Sequence, residues 1–286
     1  MVLYTRLQAR LAQPLRLRPQ NILRRKISSA REKFLIYGYL AALMIFLLTP
    51  LIAIVVSSFE NGIASYTELF INRRGSITFV PPIEAVRNSL FFAALTILIA
   101  VSLGLIAAYA IAGRQSVVGG RWLDPLFMLP LGTSAVTLGF GFIIALGDLR
   151  TSSWLVPIAH ALVAFPFVVR SLLPILRSIQ PRLREAAQIL GASPARVWRE
   201  IDLPIIMRAV LVGAVFAFTV SMGEFGATAL VARPDLPTIP VAIYRFLGQP
   251  GLINFGQALA LSTILMLVSA SAIVAMERLR AGEAEF

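Results

Sequence analysis

Six apolar runs, near residues 34–58, 89–113, 122–147, 154–176, 207–232 and 255–276, punctuate this chain. Each is long enough to cross a bilayer, for which about 20 helical residues suffice. Lipid offers no partner to a backbone amide, so such runs must satisfy their own hydrogen bonds, and the α-helix does so within one segment. The pattern therefore predicts an all-α integral membrane protein with six transmembrane helices. The third run is interrupted by Pro130 and Gly132, a break that neighbouring helices can accommodate. The fourth contains Pro157, Pro166 and Pro174, where kinks are expected. A hydrophobic content of 58% and a mean hydropathy of +0.81 agree with the bilayer as solvent. Without cysteine, the chain offers neither a disulfide framework nor a thiolate metal site.

Charge orients these spans. A net charge of +12 would suggest nucleic acid in a soluble protein, but no aromatic-basic platform or zinc-finger spacing accompanies it, and no nucleic-acid partner is expected. If the amino terminus is cytoplasmic, 19 of the 26 Lys and Arg residues fall on the inner side and 6 on the outer, with Arg170 inside a span. Positive-inside counting thus predicts both termini in the cytoplasm. The expected organisation is a basic cytoplasmic tail over 1–33, a first span over 34–58, an extracytoplasmic loop over 59–88, a transmembrane core over 89–276 and a short cytoplasmic tail over 277–286. Leu3, Leu7 and Leu11 share a helical face beside Arg6 and Arg10, so the tail also reads as an amphipathic surface helix or a transit peptide.

Between the fourth and fifth spans lies the polar passage "REAAQILGASPARVWREIDLP", with six charged side chains. Pro181 suits the first position of a helix, because its missing N–H would have been unpaired there. Leu183, Ala187 and Leu190 recur at helical spacing. Gly191 can end a helix in the left-handed conformation, and Ser193-Pro194 reads as the N-cap and first residue of a second one. Val197, Trp198 and Ile201 continue an apolar face, and Pro204 is expected to restart the chain as the fifth span. Two isolated helices of about two turns are marginal in water. Their apolar stripes point to a protein partner.

Glu185-Ala186-Ala187, Gly191 and Ile201-Asp202-Leu203-Pro204 match, at every defining position, the pattern "EAA-x3-G-x9-I-x-LP". The chain thereby resembles the permease subunits of type I ABC importers, over about residues 85–276. The resemblance implies that residues 181–204 form a cytoplasmic coupling helix seated in a groove of an ATPase subunit. Glu185, Ala186, Ala187, Gly191, Ile201, Leu203 and Pro204 would be the coupling residues, with Glu185 paired to a base of the ATPase. Arg182, Arg184, Arg196 and Arg199 are candidate supporting contacts, or contacts to the membrane surface. The family also implies ATP-Mg in the partner ATPase, an extracytoplasmic substrate-binding protein, a second permease copy or half, and the prokaryotic inner membrane.

The segment "GEFGAT" followed by "TIPVAIY" is similar to permeases for thiamine, iron(III), sulfate and molybdate. With "SITFVPPIEAVRNSL" and "FMLPLGTSAVTLGFGF", the likeness is greatest to the carboxy-terminal half of fused thiamine and iron(III) permeases. Thiamine or iron(III) is therefore the expected cargo, with a sulfate or molybdate permease as the alternative. Glu224, flanked by Gly223 and Gly226, is the only acid well inside a span, Asp124 standing at the very edge of the third run. A carboxylate there faces a wet pathway or caps and bridges neighbouring helices. His160 and Arg170 are weaker pathway candidates. Gly104, Ala108 and Ala112 offer a close-packing face, for a second copy or within one bundle.

The same residues limit other functions. No "GxxxxGK[ST]" phosphate loop exists, so ATP hydrolysis by that route must belong to a partner. One acid deep within the spans, one histidine, no cysteine and neither "HExxH" nor "GxSxG" give a membrane enzyme no catalytic set, so no catalytic or metal-ligating residue is assigned. An ATPase-independent channel would leave the charged EAA passage without a task.

Overall fold

The computed structural model describes residues 29–72, 80–113, 125–147 and 152–281. The tail before Ser29, and Arg73, Arg74, Arg114, Arg121 and Arg150, which entered the charge count, lie outside the described residues. The chain divides into two units, Met1–Ser57 and Ser58–Phe286. The first holds nearly all of α1 (Ala30–Ser58), 29 residues long and with an 18-residue stretch of mean hydropathy 2.7, long and apolar enough to cross a membrane.

In the second unit, α2 (Ala64–Thr67) and a 3-10 turn (Glu68–Phe70) precede α3 (Ile83–Gly113), which begins inside the stretch expected to be loop. Then come a 3-10 turn (Leu129–Gly132), α4 (Ala135–Ala145) and α5 (Leu155–Ser178). The EAA passage supplies α6 (Pro181–Ile189), α7 (Pro194–Val197) and a π-turn (Trp198–Asp202) that leads into α8 (Leu203–Gly223). After α9 (Thr228–Val231) and α10 (Ile239–Leu247), α11 (Leu252–Ala281) completes the described chain.

Among the described residues five helices are long and apolar enough to span, not six. The third expected span is the difference. Its described part is a single helical turn at 125–127, a 3-10 turn (Leu129–Gly132) and an 11-residue helix, α4, the last two separated at Thr133 and Ser134. Pro130 restricts the backbone and Ser134 is extended (φ −64°, ψ 136°), so no continuous helix forms.

The core lies where α3, α5 and α8 approach closely. Val168 on α5 sits between Gly104 of α3 and Gly213 of α8; a Cβ on these glycines would lie 2.6 and 3.2 Å from the Val168 Cγ1. Ala100, Ala108, Ala161, Ala164 and Ala217 fill the same cluster. Without a hydrophobic drive between helices in lipid, small residues that let backbones approach are what holds them. The face carrying Gly104 and Ala108 is thus spent within the bundle.

Irregular backbone before α3 and between α8 and α11 is tied down by side chains. Asn88 Nδ2 donates to Pro237 O at 3.2 Å, and Ser89 Oγ accepts from Ile239 N at 2.8 Å, satisfying a free amide at the start of α10. Gln257 Nε2 of α11 donates to Glu68 O at 3.0 Å. Such tethers let non-helical backbone exist where protein rather than lipid surrounds it.

Candidate functional site

Two regions contain the sequence-selected residues, and they have different chemistry. The first is the EAA passage. Gly191 adopts φ +82°, and two hydrogen bonds close α6 behind it: Gly191 N to Gln188 O at 2.9 Å and Ala192 N to Ala187 O at 3.0 Å. This is a Schellman ending, which gives otherwise orphaned carbonyls a partner and turns the chain sharply. Ser193 Oγ then accepts from Arg196 N at 3.4 Å and opens α7.

The second short helix does not stop at Pro204, contrary to the expected restart. Helical torsions continue through Trp198 (φ −61°, ψ −47°) and Leu203 (φ −59°, ψ −47°) into α8. In a regular α-helix the Pro204 ring would meet the carbonyl of Glu200 four residues earlier. The wider π-turn over Trp198–Asp202 falls at that place and lets the helix pass through the proline.

One ion pair closes the passage on itself: Arg184 Nε donates to Asp202 Oδ1 at 2.8 Å, with Asp202 buried. Arg196 and Arg199 both reach Glu200 Oε1, at 3.0 and 3.7 Å. Arg184, Arg196 and Arg199 are thus engaged within the passage. Glu185 and Arg182 are exposed and make no ion pair among the described residues. Ile189 and Leu190 are 86% and 87% exposed at the tip of α6. Together they bare a small apolar patch on an otherwise charged loop.

The second region is a break in the fifth span. Helix α8 ends at Gly223, so Glu224 lies in extended backbone (φ −73°, ψ 115°) rather than inside a helix. Its Oε1 accepts from Ala227 N at 2.7 Å, capping the turn that begins α9. Glu224 is buried, at 8% exposure. Gly226 packs on α4: an added Cβ would meet Ala135 Cβ at 3.1 Å and Val136 N at 3.2 Å. Reciprocally, a Cβ on Gly139 of α4 would meet Ala227 Cα at 2.9 Å. Gly223 faces open space. Of the three residues expected to line a pathway, Gly226 is therefore occupied in helix packing.

His160 was a weak candidate by sequence, and its surroundings were invisible there. It is fully buried, with Nδ1 2.7 Å from Ser221 Oγ and Nε2 2.6 Å from Thr228 Oγ1. Hydroxyls recurring inside otherwise apolar spans were the one signal that could have found its partners. A cleft of about 500 Å³ opens beside the break, lined by Ile143, Leu230 to Ala232 and the loop Arg233-Pro234-Asp235. The hydrogen-bonded Arg233 guanidinium holds the Asp235 carboxyl below its ordinary range.

Relatives place this geometry in a family. Residues 100–281 match the family described as binding-protein-dependent transport system inner membrane component. The molybdenum transport system permease protein ModB of Haemophilus influenzae is 34% identical over 189 residues, covering 59% of this chain and 81% of that protein. The putative 2-aminoethylphosphonate transport system permease protein PhnV of Salmonella typhimurium is 28% identical over 246 residues, covering 82% and 90%. The sulfate transport system permease protein CysT of the same organism is 31% identical over 197 residues, covering 65% and 69%. Among solved structures, a bacterial ABC transporter for import of the acidic polysaccharide alginate shares the fold, with a TM-score of 0.64 at 18% identity over 87% of this chain and 96% of that one. A bacterial alginate ABC transporter in complex with alginate pentasaccharide-bound periplasmic protein gives 0.67, again at 18% identity, over 86% and 93%. The chain belongs to the binding-protein-dependent inner membrane components: it is a transport permease of the type I ABC importers, not an enzyme, and its binding protein and ATPase are separate subunits.

Proposed function

We propose that this permease imports a small oxyanion of the molybdate or sulfate kind, handed over by its binding protein at the prokaryotic inner membrane. The observation that carries the cargo class is shared by the relatives: molybdenum, sulfate and 2-aminoethylphosphonate systems all handle anions. Those names favour the sulfate and molybdate alternative over thiamine or iron(III). Arg170 supports it. This guanidinium lies within α5, about 12 Å short of the helix end at Ser178. Its Nε reaches only Met128 Sδ, at 3.4 Å, and no acid pairs with it among the described residues. An ionisable group at membrane depth is costly and normally meets a wet cavity or a charged ligand.

Coupling is assigned to the EAA passage. Glu185 and Arg182, with the bare tip of Ile189 and Leu190, dock on the ATPase; Gly191 supplies the bend, and Ala186, Ala187, Ile201, Leu203 and Pro204 shape the two arms. ATP-Mg binds the ATPase, both termini face the cytoplasm, and two permease bundles rock against each other as the ATPases close. Reconstituted vesicles containing permease, ATPase and binding protein test the reading. Radiolabelled molybdate or sulfate should accumulate only with ATP and loaded binding protein. Accumulation of thiamine or iron(III) instead would overturn it.

A further inference from the structure

The contacts of His160 extend into a chain of hydrogen bonds across four helices. Ser221 Oγ, on α8, lies 3.3 Å from Thr96 Oγ1 on α3, and that hydroxyl lies 3.5 Å from Pro157 O on α5. On the other side of the ring, Thr228 Oγ1 of α9 donates to Glu224 O at 3.0 Å. Thr96, His160 and Thr228 are 0% exposed and Ser221 is 3% exposed. A buried polar group left with no partner is costly in such a place, so each group in the network must keep at least one hydrogen bond.

That requirement selects a tautomer. The Thr228 hydroxyl has one proton, and the Glu224 carbonyl takes it, so Thr228 Oγ1 must accept from His160 Nε2–H. Nδ1 is then an acceptor and takes the proton that Ser221 would otherwise give to Thr96 Oγ1, while Thr96 keeps its own bond to Pro157 O, so no group in the network is left without a partner. In the opposite tautomer, Nδ1–H points at Ser221, Thr228 must donate to Nε2, and the Glu224 carbonyl loses this donor. Only the Nε2–H form joins the ring to the backbone of the break.

We propose that His160, as its neutral Nε2–H tautomer, is a positioning residue that pins the break between α8 and α9 and so fixes where Glu224 presents its carboxylate along the pathway. The carbonyl of Glu224 is held by Thr228 and its carboxylate by Ala227 N, so the residue is fixed at both ends. Through α5 the ring carries this hold to the helix that also bears Arg170. The assignment rests on the oxyanion-permease reading for the meaning of the pathway, but the geometry of the pin does not.

His160 is the chain's single histidine, so ring-nitrogen NMR of labelled permease in the assembled transporter reports it alone. The wild type should show a protonated Nε2 and a bare Nδ1. Thr228→Val removes the acceptor: the proton should move to Nδ1 and maximal uptake should fall about tenfold, the loss of one buried hydrogen bond. The apparent KM for loaded binding protein should stay within about twofold, because docking is untouched. Thr228→Ser should restore both tautomer and uptake. Ser221→Ala is the second arm, and it should keep Nε2–H with a smaller loss of uptake.

A wild-type Nδ1–H signal, full uptake by Thr228→Val, or wild-type uptake by Glu224→Gln overturns the proposal. So does loss of transporter assembly shared by Thr228→Val, Thr228→Ser and Ser221→Ala, which would make the network a folding element only. The tautomer is read without cargo, and ATPase stimulation by loaded binding protein can replace uptake. A transporter that proves to move another substrate therefore fails the oxyanion reading while leaving the pin standing.

Discussion

Arg184 Nε and Asp202 Oδ1, eighteen residues apart in sequence, stand 2.8 Å from one another and clasp the first arm of the EAA passage to the root of the second. Asp202 is buried while the Arg184 side chain is 33% exposed, so solvent screens the pair only in part. Removing either partner should weaken the clasp by about 1–2 kcal/mol. Arg184→Met and Asp202→Asn should each speed amide exchange across α6 and lower ATPase co-purification. The double variant should be no worse than the worse single one, because both break one interaction. Additive losses would mean that each residue serves the ATPase separately.

Gly191 is the second element of that geometry. At φ +82° a side chain costs about 1–2 kcal/mol, although nothing lies within 4 Å to obstruct it. Gly191→Val should therefore impair ATPase stimulation more than Gly191→Asn, since asparagine tolerates the left-handed region. Equal behaviour of the two, measured as ATP hydrolysis stimulated by loaded binding protein, would remove the backbone argument.

The glycines of α4 give an internally controlled pair. A Cβ on Gly139 would lie 2.9 Å from Ala227 Cα and 3.0 Å from Ala227 O, backbone atoms that cannot rotate away. Gly141, two residues on, meets nothing within 4 Å. Gly139→Ala should destabilise the break by about 1–3 kcal/mol as overpacking, whereas Gly141→Ala should be neutral. Thermal unfolding of the purified permease checks both.

These cases also separate what the residues announced from what they did not. Spans were legible because lipid forces long apolar helices, and the EAA turn because proline, serine and glycine act locally at Pro181, Gly191 and Ser193. The break in the third expected span was less legible. Pro130 and Gly132 warned of it, but the short packing of α4 depends on Gly139 meeting Ala227, a contact across nearly 90 residues. The π-turn ahead of Pro204 was hidden because proline reads equally as a helix start and as an obstacle passed by a bulge. Glu224 offered two readings in the sequence; the Ala227 amide supplies the capping one directly. The His160 network needed Thr96, Ser221 and Thr228 brought together from three helices, and no spacing rule encodes that.

Glu224 can be made to distinguish its two tasks. Glutamine retains an oxygen for the Ala227 amide, so Glu224→Gln should assemble with the ATPase and keep its thermal stability while uptake falls. Glu224→Ala leaves that buried amide unpaired, at a cost of about 1–3 kcal/mol, and should lose stability as well. Wild-type uptake by the glutamine variant would restrict Glu224 to capping.

Arg170 tests the cargo class through charge and shape together. If its guanidinium meets an oxyanion during passage, Arg170→Met should lower uptake by about tenfold or more, since a charge-assisted hydrogen bond contributes about 1.5–3 kcal/mol. Arg170→Lys keeps the charge but not the planar fork that matches tetrahedral oxyanions, so it should fall between. Uptake assays at matched membrane abundance measure this directly. An arginine that merely leans along its helix toward the membrane surface would behave differently: methionine there is better solvated by lipid, abundance would rise, and uptake per molecule would not change. Because Arg170 bonds only to Met128 Sδ among the described residues, its replacement orphans no buried acid. A loss of uptake would then reflect the cargo rather than a broken ion pair.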